Sequence, residues 1–298
     1  MITEQYKDKM FKFMGDKSKD WIEELKGHLD YFISKWSLKD IQVMDLSYNM
    51  VIGANSSLHG DIVLKICLPG FEFLTEYYAL KELNREMMVR LIDVDIERRA
   101  LVLDNLKPGH TLWQLPYDQR LDYAADILYK TPSTDFTYDY PTFLAFTEKM
   151  DGYVKEKSPD HKMNDHLQYL IDHFEDLNVD NNPVSLLHGD LHHGNILLDD
   201  QWTVIDPKGM IGYRSLEVGR YMNNQVGEKG IDVDQSIEDM IKSFSRRFNL
   251  DEKTMLLSFY ADLVLSTSWY FEDHIIDEEG INEKLQVITK VHKKLIQI

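Results

Sequence analysis

Along residues 18–36, Ile22, Leu25, Leu29, Ile33 and Trp36 recur at helical spacing behind Ser18, a residue type that caps helices. The pattern then changes. Between residues 41 and 67, Val43, Val51, Ile52, Ile62, Val63, Leu64 and Ile66 form short β-prone runs, broken by Gly53-Ala54-Asn55-Ser56-Ser57 and by His59-Gly60-Asp61. This predicts a small antiparallel sheet. Residues 71–90 return to helical spacing and Arg99–Leu103 is strand-like. After Asn105-Leu106-Lys107-Pro108-Gly109 the chain reads mostly as helix to its end. Ile196–Asp206 is the exception, with two apolar runs separated by polar residues as in a hairpin. No internal repeat, low-complexity tract or long flexible linker interrupts this order. The expectation is an α+β protein of two lobes, a small sheet-bearing one over residues 1–104 and a larger helical one over residues 105–298.

The most specific chemistry lies in the helical half, at Leu187-His188-Gly189-Asp190-Leu191-His192-His193-Gly194-Asn195. The catalytic loop of protein kinases reads H-R-D-L-x-x-x-N and is followed by an Asp that binds metal. His188, Asp190, Leu191 and Asn195 fall at that spacing, Gly189 stands where the Arg would be, and Ile205-Asp206-Pro207 follows. Asp190 is the candidate for accepting or orienting the proton of an acceptor hydroxyl. Asn195 offers a neutral oxygen and Asp206 an anionic one, a donor set suited to Mg²⁺. The hairpin accounts for the spacing, because it returns Asp206 to the loop that holds Asn195.

Upstream, Ile62-Val63-Leu64-Lys65-Ile66 resembles the strand whose Lys contacts the phosphates of ATP. Lys65 points opposite to Leu64 and Ile66, so it can face a cleft while they face a core. Glu76, in the following helix, is its expected ion-pair partner. No G-x-G-x-x-G precedes Lys65, and the segment Ser47-Tyr48-Asn49 is left to offer N–H groups and the Ser47 hydroxyl to phosphate oxygens. Leu103-Asp104-Asn105 would be the hinge, with backbone groups at Leu103 and Asn105 reading the adenine. A two-lobed chain of this kind is expected to hold its nucleotide between the lobes.

The 298 residues carry a net charge of −18, from 33 basic and 51 acidic side chains. Nucleic acid and anionic membranes are therefore disfavoured as partners. The acidity either draws a cationic substrate to a cleft or serves solubility alone. The polar segment Met1–Met14 is unlike a signal peptide, no apolar run reaches membrane-spanning length, and Cys67 is the single cysteine. A cytoplasmic protein is expected, and nothing in the sequence points to an oligomeric state. A competing reading takes His188, Asp190, His192 and His193 as the ligand cluster of a zinc-type hydrolase. It leaves Asn195, Asp206, Lys65 and Glu76 without roles.

Taken together, Leu186–Leu197, Ile205-Asp206-Pro207-Lys208-Gly209, Val63-Leu64-Lys65-Ile66, Glu76, Lys107-Pro108-Gly109 and Leu263–Trp269 resemble the aminoglycoside phosphotransferase group of the protein-kinase-like fold. Within that group the chain is similar to the aminoglycoside/hydroxyurea resistance kinases, the streptomycin 6-kinase type; Lys208 after Asp-Pro is a mark of that subgroup. The resemblance implies ATP- and Mg²⁺-dependent phosphorylation of a hydroxyl on a small, cationic molecule. It implies Asp190 as base, Asn195 and Asp206 as metal ligands and Lys65 as the phosphate-binding lysine. Glu217, Trp269, Glu272 and Asp273 are the candidates for the acceptor pocket, since carboxylates and an aromatic face suit an ammonium or guanidinium group. A kinase of a sugar or amino alcohol and a nucleotide-binding pseudoenzyme scaffold are the alternatives.

Overall fold

A computed structural model of the chain describes residues 2–44, 48–226, 228, 230–273 and 278–298. The chain divides into two compact units, residues 1–81 with 89–109, and residues 82–88 with 110–298.

In the first unit, α1 (Glu4–Met14) starts at Thr3, whose hydroxyl accepts from the Tyr6 N–H at 3.2 Å. Helix α2 spans Lys17–Lys35. Ser18 is not its cap: it lies inside the first turn and its hydroxyl donates to the Gly15 carbonyl at 2.7 Å. Five antiparallel strands follow, β1 (Leu38–Val43), β2 (Met50–Ser56), β3 (Gly60–Ile66), β4 (Leu91–Asp95) and β5 (Ala100–Asp104), in the order β1-β2-β3-β5-β4. The expected break at Gly53–Ser57 is absent. β2 runs through it, with Gly53 opposite Val63 and Ser56 opposite Gly60. The turn sits later, where the Ser56 hydroxyl accepts from the N–H groups of Leu58 and His59. Leu25, Leu29 and Phe32 of α2 are buried against Ile52, Ile62 and Leu64 of the sheet, and this apolar layer is the core of the unit.

Helix α3 (Glu72–Glu82) is shorter than the expected helix over 71–90. The Asn84 side chain accepts from the Glu86 N–H at 3.1 Å, an Asx turn that redirects the chain toward β4. β5 likewise begins one residue later than expected, because Arg99 adopts a left-handed φ of 51° in the turn before it.

The second unit is largely helical: α4 (Tyr117–Lys130), α5 (Phe143–Lys157) and α6 (Met163–Asp172) precede the strands β6 (Val184–Leu187), β7 (Ile196–Leu198), β8 (Trp202–Val204) and β9 (Met210–Tyr213). Then come α7 (Leu216–Gln225), α8 (Val233–Phe248), α9 (Glu252–Asp273) and α10 (Glu278–Leu295). The expected hairpin is β7–β8. β6 pairs antiparallel with β9, a two-stranded ribbon that the sequence pattern missed. Helix α9 is buried along most of its length and packs against α7. The two helices meet closely at Gly219, where a Cβ would stand 2.3 Å from the Ser258 carbonyl oxygen. Among the described residues no helix is long and apolar enough to cross a membrane.

Candidate active site

Two strand pairs frame the loop that carries the kinase-like motif. It leaves β6 at Leu187 and enters β7 at Ile196, while the segment 205–209 joins β8 to β9. His188 ties these segments together. Its ring is fully buried, Nε2–H donates to the Ile205 carbonyl at 2.8 Å, and Nδ1 accepts from the Asp190 N–H at 3.1 Å. Its own carbonyl accepts from the N–H groups of Lys208 and Gly209 at 2.8 and 3.1 Å. Burial pulls the ring's pKa down to about 4, so it stays neutral and works as a hydrogen-bonding brace.

Asn195 closes the loop on itself. Its amide nitrogen donates to the Asp190 carbonyl at 2.9 Å, which leaves the side-chain oxygen as the donor atom for a cation. The Asn195 carbonyl accepts from the Ile205 N–H at 3.0 Å, so the residue before Asp206 is fastened to Asn195. Asp206 is exposed and takes a φ of 61°, a conformation that costs a non-glycine residue energy and recurs at functional sites. An amide oxygen and a carboxylate, both hard donors, fit Mg²⁺ better than a soft metal.

Gly189 stands where a protein kinase has Arg, at a φ of 79°. A Cβ there would lie 2.9 Å from Met210 Cε, so both backbone and space call for glycine. Its N–H donates to Glu217 Oε1 at 3.1 Å, and Glu217, only 1% exposed, anchors the loop from α7. Burial pushes the Glu217 carboxyl up to about 8; the Gly189 and His188 backbone opposes that, and Asp190 adds to it.

One turn further along α7, Arg220 Nε lies 3.4 Å from Asp190 Oδ1 and 3.3 Å from Asp262 Oδ1. Asp262, buried on α9, is held in turn by the Asn223 amide at 2.8 Å. Burial works against the Arg220 charge, but Asp262 and Asp190 outweigh it and raise its pKa. Gly189, Glu217, Arg220, Asp262 and Trp269 line one cavity. Lys208 Nζ and Arg220 both lie over the Trp269 ring, at 4.7 and 5.6 Å from its centroid. Glu272 is exposed and pairs with Lys149 at 3.0 Å, away from that cavity lining, and Asp273 is the last residue of α9.

The other histidines have partners of their own. His193 is buried between the rings of Trp113 and Tyr221, with Nε2–H donating to Gln225 Oε1 at 2.8 Å. His192 caps the short helical turn at His193–Asn195 by accepting from the Gly194 N–H. Among the described residues no group of His, Cys, Asp and Glu is placed to hold a zinc-type metal.

In the first unit, Lys65 and Glu76 are 5% and 6% exposed, and Lys65 Nζ donates to both Glu76 oxygens at 2.7 Å. The lysine comes from the central strand β3, opposite Val51 on one side and Leu101 on the other. Leu103 is buried on β5 and Asn105 follows the strand's end. Ser47 lies outside the described residues; beside it, the Tyr48 carbonyl accepts from Tyr6 Oη–H and Asn49 Oδ1 accepts from the Leu68 N–H.

Arg220 and Asp262 were not anticipated from sequence. The one available signal was a carboxylate within the apolar run Phe259–Leu265 of α9, since such a charge inside a core needs a partner.

Comparison with known proteins bears on the family and the fold. The family model described as aminoglycoside/hydroxyurea antibiotic resistance kinase matches residues 75–274. Streptomycin 6-kinase of Streptomyces griseus is 23% identical over 276 residues, which cover 87% of each chain. The crystal structure of choline kinase LicA from Streptococcus pneumoniae is similar with a TM-score of 0.68 at 14% identity, covering 92% of this chain and 99% of that one. The structure of LicA in complex with AMP gives 0.66 at 14%, with 91% and 98% covered. The fold is thus protein-kinase-like, and the chain belongs to the aminoglycoside/hydroxyurea antibiotic resistance kinase family.

Proposed function

We propose that this small-molecule kinase transfers the γ-phosphoryl group of ATP to a hydroxyl of a small cationic compound of the aminoglycoside class, streptomycin being the first candidate. The observation that carries the reading is the junction of Asn195 with Asp190 and with the segment leading to Asp206, closed by two hydrogen bonds. The similarity to streptomycin 6-kinase and the AMP complex of a structural neighbour support the choice of acceptor and nucleotide.

Residues 1–104 are assigned to the nucleotide. Lys65, held by Glu76, would pair with its phosphates, with the backbone at Leu103 and Asn105 meeting the base. Residues 105–298 are assigned to the acceptor and the chemistry. The acceptor oxygen forms a bond to the γ-phosphorus, the bond from that phosphorus to the bridging oxygen breaks, and the electron pair leaves with ADP. Asp190 takes the hydroxyl proton and passes it to water. Arg220, in contact with Asp190, keeps its carboxylate aimed; Glu217 keeps the loop in place beneath it. Asn195 and Asp206 would hold Mg²⁺, which when bound neutralises charge on the phosphates.

The test is ADP release with MgATP across streptomycin, other aminoglycosides, hydroxyurea, amino alcohols and simple sugars, comparing wild type with Asp190→Asn. Acceptor-stimulated turnover that drops by roughly 10²–10⁴-fold in the variant, with nucleotide affinity kept, is expected. Stimulation by amino alcohols or sugars alone would replace the aminoglycoside by an ordinary metabolite. Loss of ATP binding in Asp190→Asn would make that residue structural.

A further inference from the structure

Phosphoryl transfer places negative charge on the transferred oxygens and on the leaving oxygen, and preorganised cations at those points lower the barrier. In a chain of net charge −18, a cation beside the catalytic loop stands out. The second unit brings two there. Arg220 is committed, its Nε lying within 3.4 Å of Asp190 and 3.3 Å of Asp262. Lys208 is not: among the described residues no carboxylate pairs with it, and its Nζ rests 4.7 Å from the centre of the Trp269 ring.

The two ends of Lys208 are held very differently. Its backbone N–H donates to the His188 carbonyl at 2.8 Å, the following Gly209 N–H donates to the same oxygen at 3.1 Å, and Asp206 two residues earlier has its own φ of 61°. The base of the side chain is therefore fixed to the histidine that braces the catalytic loop. The ammonium sits at the end of four rotatable methylenes on an aromatic face, a weak seat compared with a phosphate oxygen. Trp269 itself is shared with Arg220, the contact of Asp190, so the seat adjoins the catalytic carboxylate.

We propose that Lys208 is a catalytic residue that leaves the Trp269 ring to bind an oxygen of the phosphoryl group during transfer. Trp269 is then the resting place of the chain's own cation. The inference rests on the phosphotransferase reading above and adds no reactant to it. As the acceptor oxygen bonds to the γ-phosphorus and the electron pair of the breaking bond departs with ADP, Lys208 stays protonated and offsets charge, while the hydroxyl proton goes to Asp190.

The test has two independent readouts. In the first, wild-type protein is treated with a lysine-acylating reagent and the Lys208 peptide is quantified by mass spectrometry with MgAMP-PNP, with MgADP and without nucleotide. Protection by MgAMP-PNP but not by MgADP is expected, because only the former places a phosphoryl group in the γ position. In the second, Lys208→Met should lower kcat by roughly 10²–10³-fold with both KM values within about threefold, and Lys208→Arg should recover part of the loss. Unprotected Lys208 with MgAMP-PNP bound by calorimetry overturns the assignment while sparing the kinase reading. Lys208→Met with kcat near wild type does the same. Failure of MgAMP-PNP to bind overturns the nucleotide reading, and this proposal with it.

Discussion

Glu217 offers a test of how the loop from His188 to Asn195 is held. Its carboxyl is buried, one oxygen accepts from the Gly189 N–H, and its pKa is pushed from the ordinary 4.5 up to about 8. The folded protein therefore keeps a proton on this group over a range where the unfolded chain has lost it. Each pH unit in that window changes stability by about 1.4 kcal/mol. The sign follows from the direction of the shift: the stabilisation is complete below 4.5 and is lost as pH rises toward 8. Between about pH 5.5 and about pH 8 this one group should remove roughly 3 kcal/mol of folding free energy. Glu217→Gln keeps the acceptor for Gly189 but cannot ionise, so the variant should lack that part of the pH dependence. Urea unfolding of both proteins across that range, at constant ionic strength, measures the difference directly. Curves that run parallel within about 1 kcal/mol would refute the argument, because they would mean that Glu217 is already ionised in the fold.

Further substitutions, at Glu76 and at Gly189, probe the framework. Glu76→Leu removes the carboxylate whose two oxygens hold Lys65 Nζ and should cost about 1.5–3 kcal/mol in urea unfolding, while Lys65→Met/Glu76→Leu together should return closer to wild-type stability yet remain inactive. A double variant as unstable as Glu76→Leu would show that the pair is not what costs the energy. Gly189→Ala meets both the positive φ and Met210, so a loss of about 1–3 kcal/mol is expected, only partly restored by adding Met210→Ala. Full restoration would mean that crowding, and not the backbone, sets the requirement for glycine.

The residues that were legible in the sequence belong to short-range constellations. His188, Asp190 and Asn195 sit in one tight loop whose hydrogen bonds close within a few positions, so spacing alone reports them. Lys65 and Glu76 lie on a strand and the helix that follows it, a separation that a motif still captures. The strand Leu91–Asp95 and the ribbon of β6 with β9 were not legible, because four or five residues carry too little alternation to stand out from a buried turn. The break expected at Gly53–Ser57 failed for a related reason: small and polar residues signal a turn locally, but a full ladder with β3 overrides them.

By itself, then, the sequence determined the order of sheet and helices, the motif residues and the chemistry they favour, since periodicity and spacing are properties of neighbours along the chain. Tertiary structure alone decided which distant groups meet and in what charge state. Arg220 beside Asp190 and Asp262, Lys208 on Trp269, and Glu217 beneath Gly189 each join separate elements. The neutral His188 and the raised carboxyl of Glu217 come from burial, which depends on everything packed around a group and is written in no single stretch of sequence.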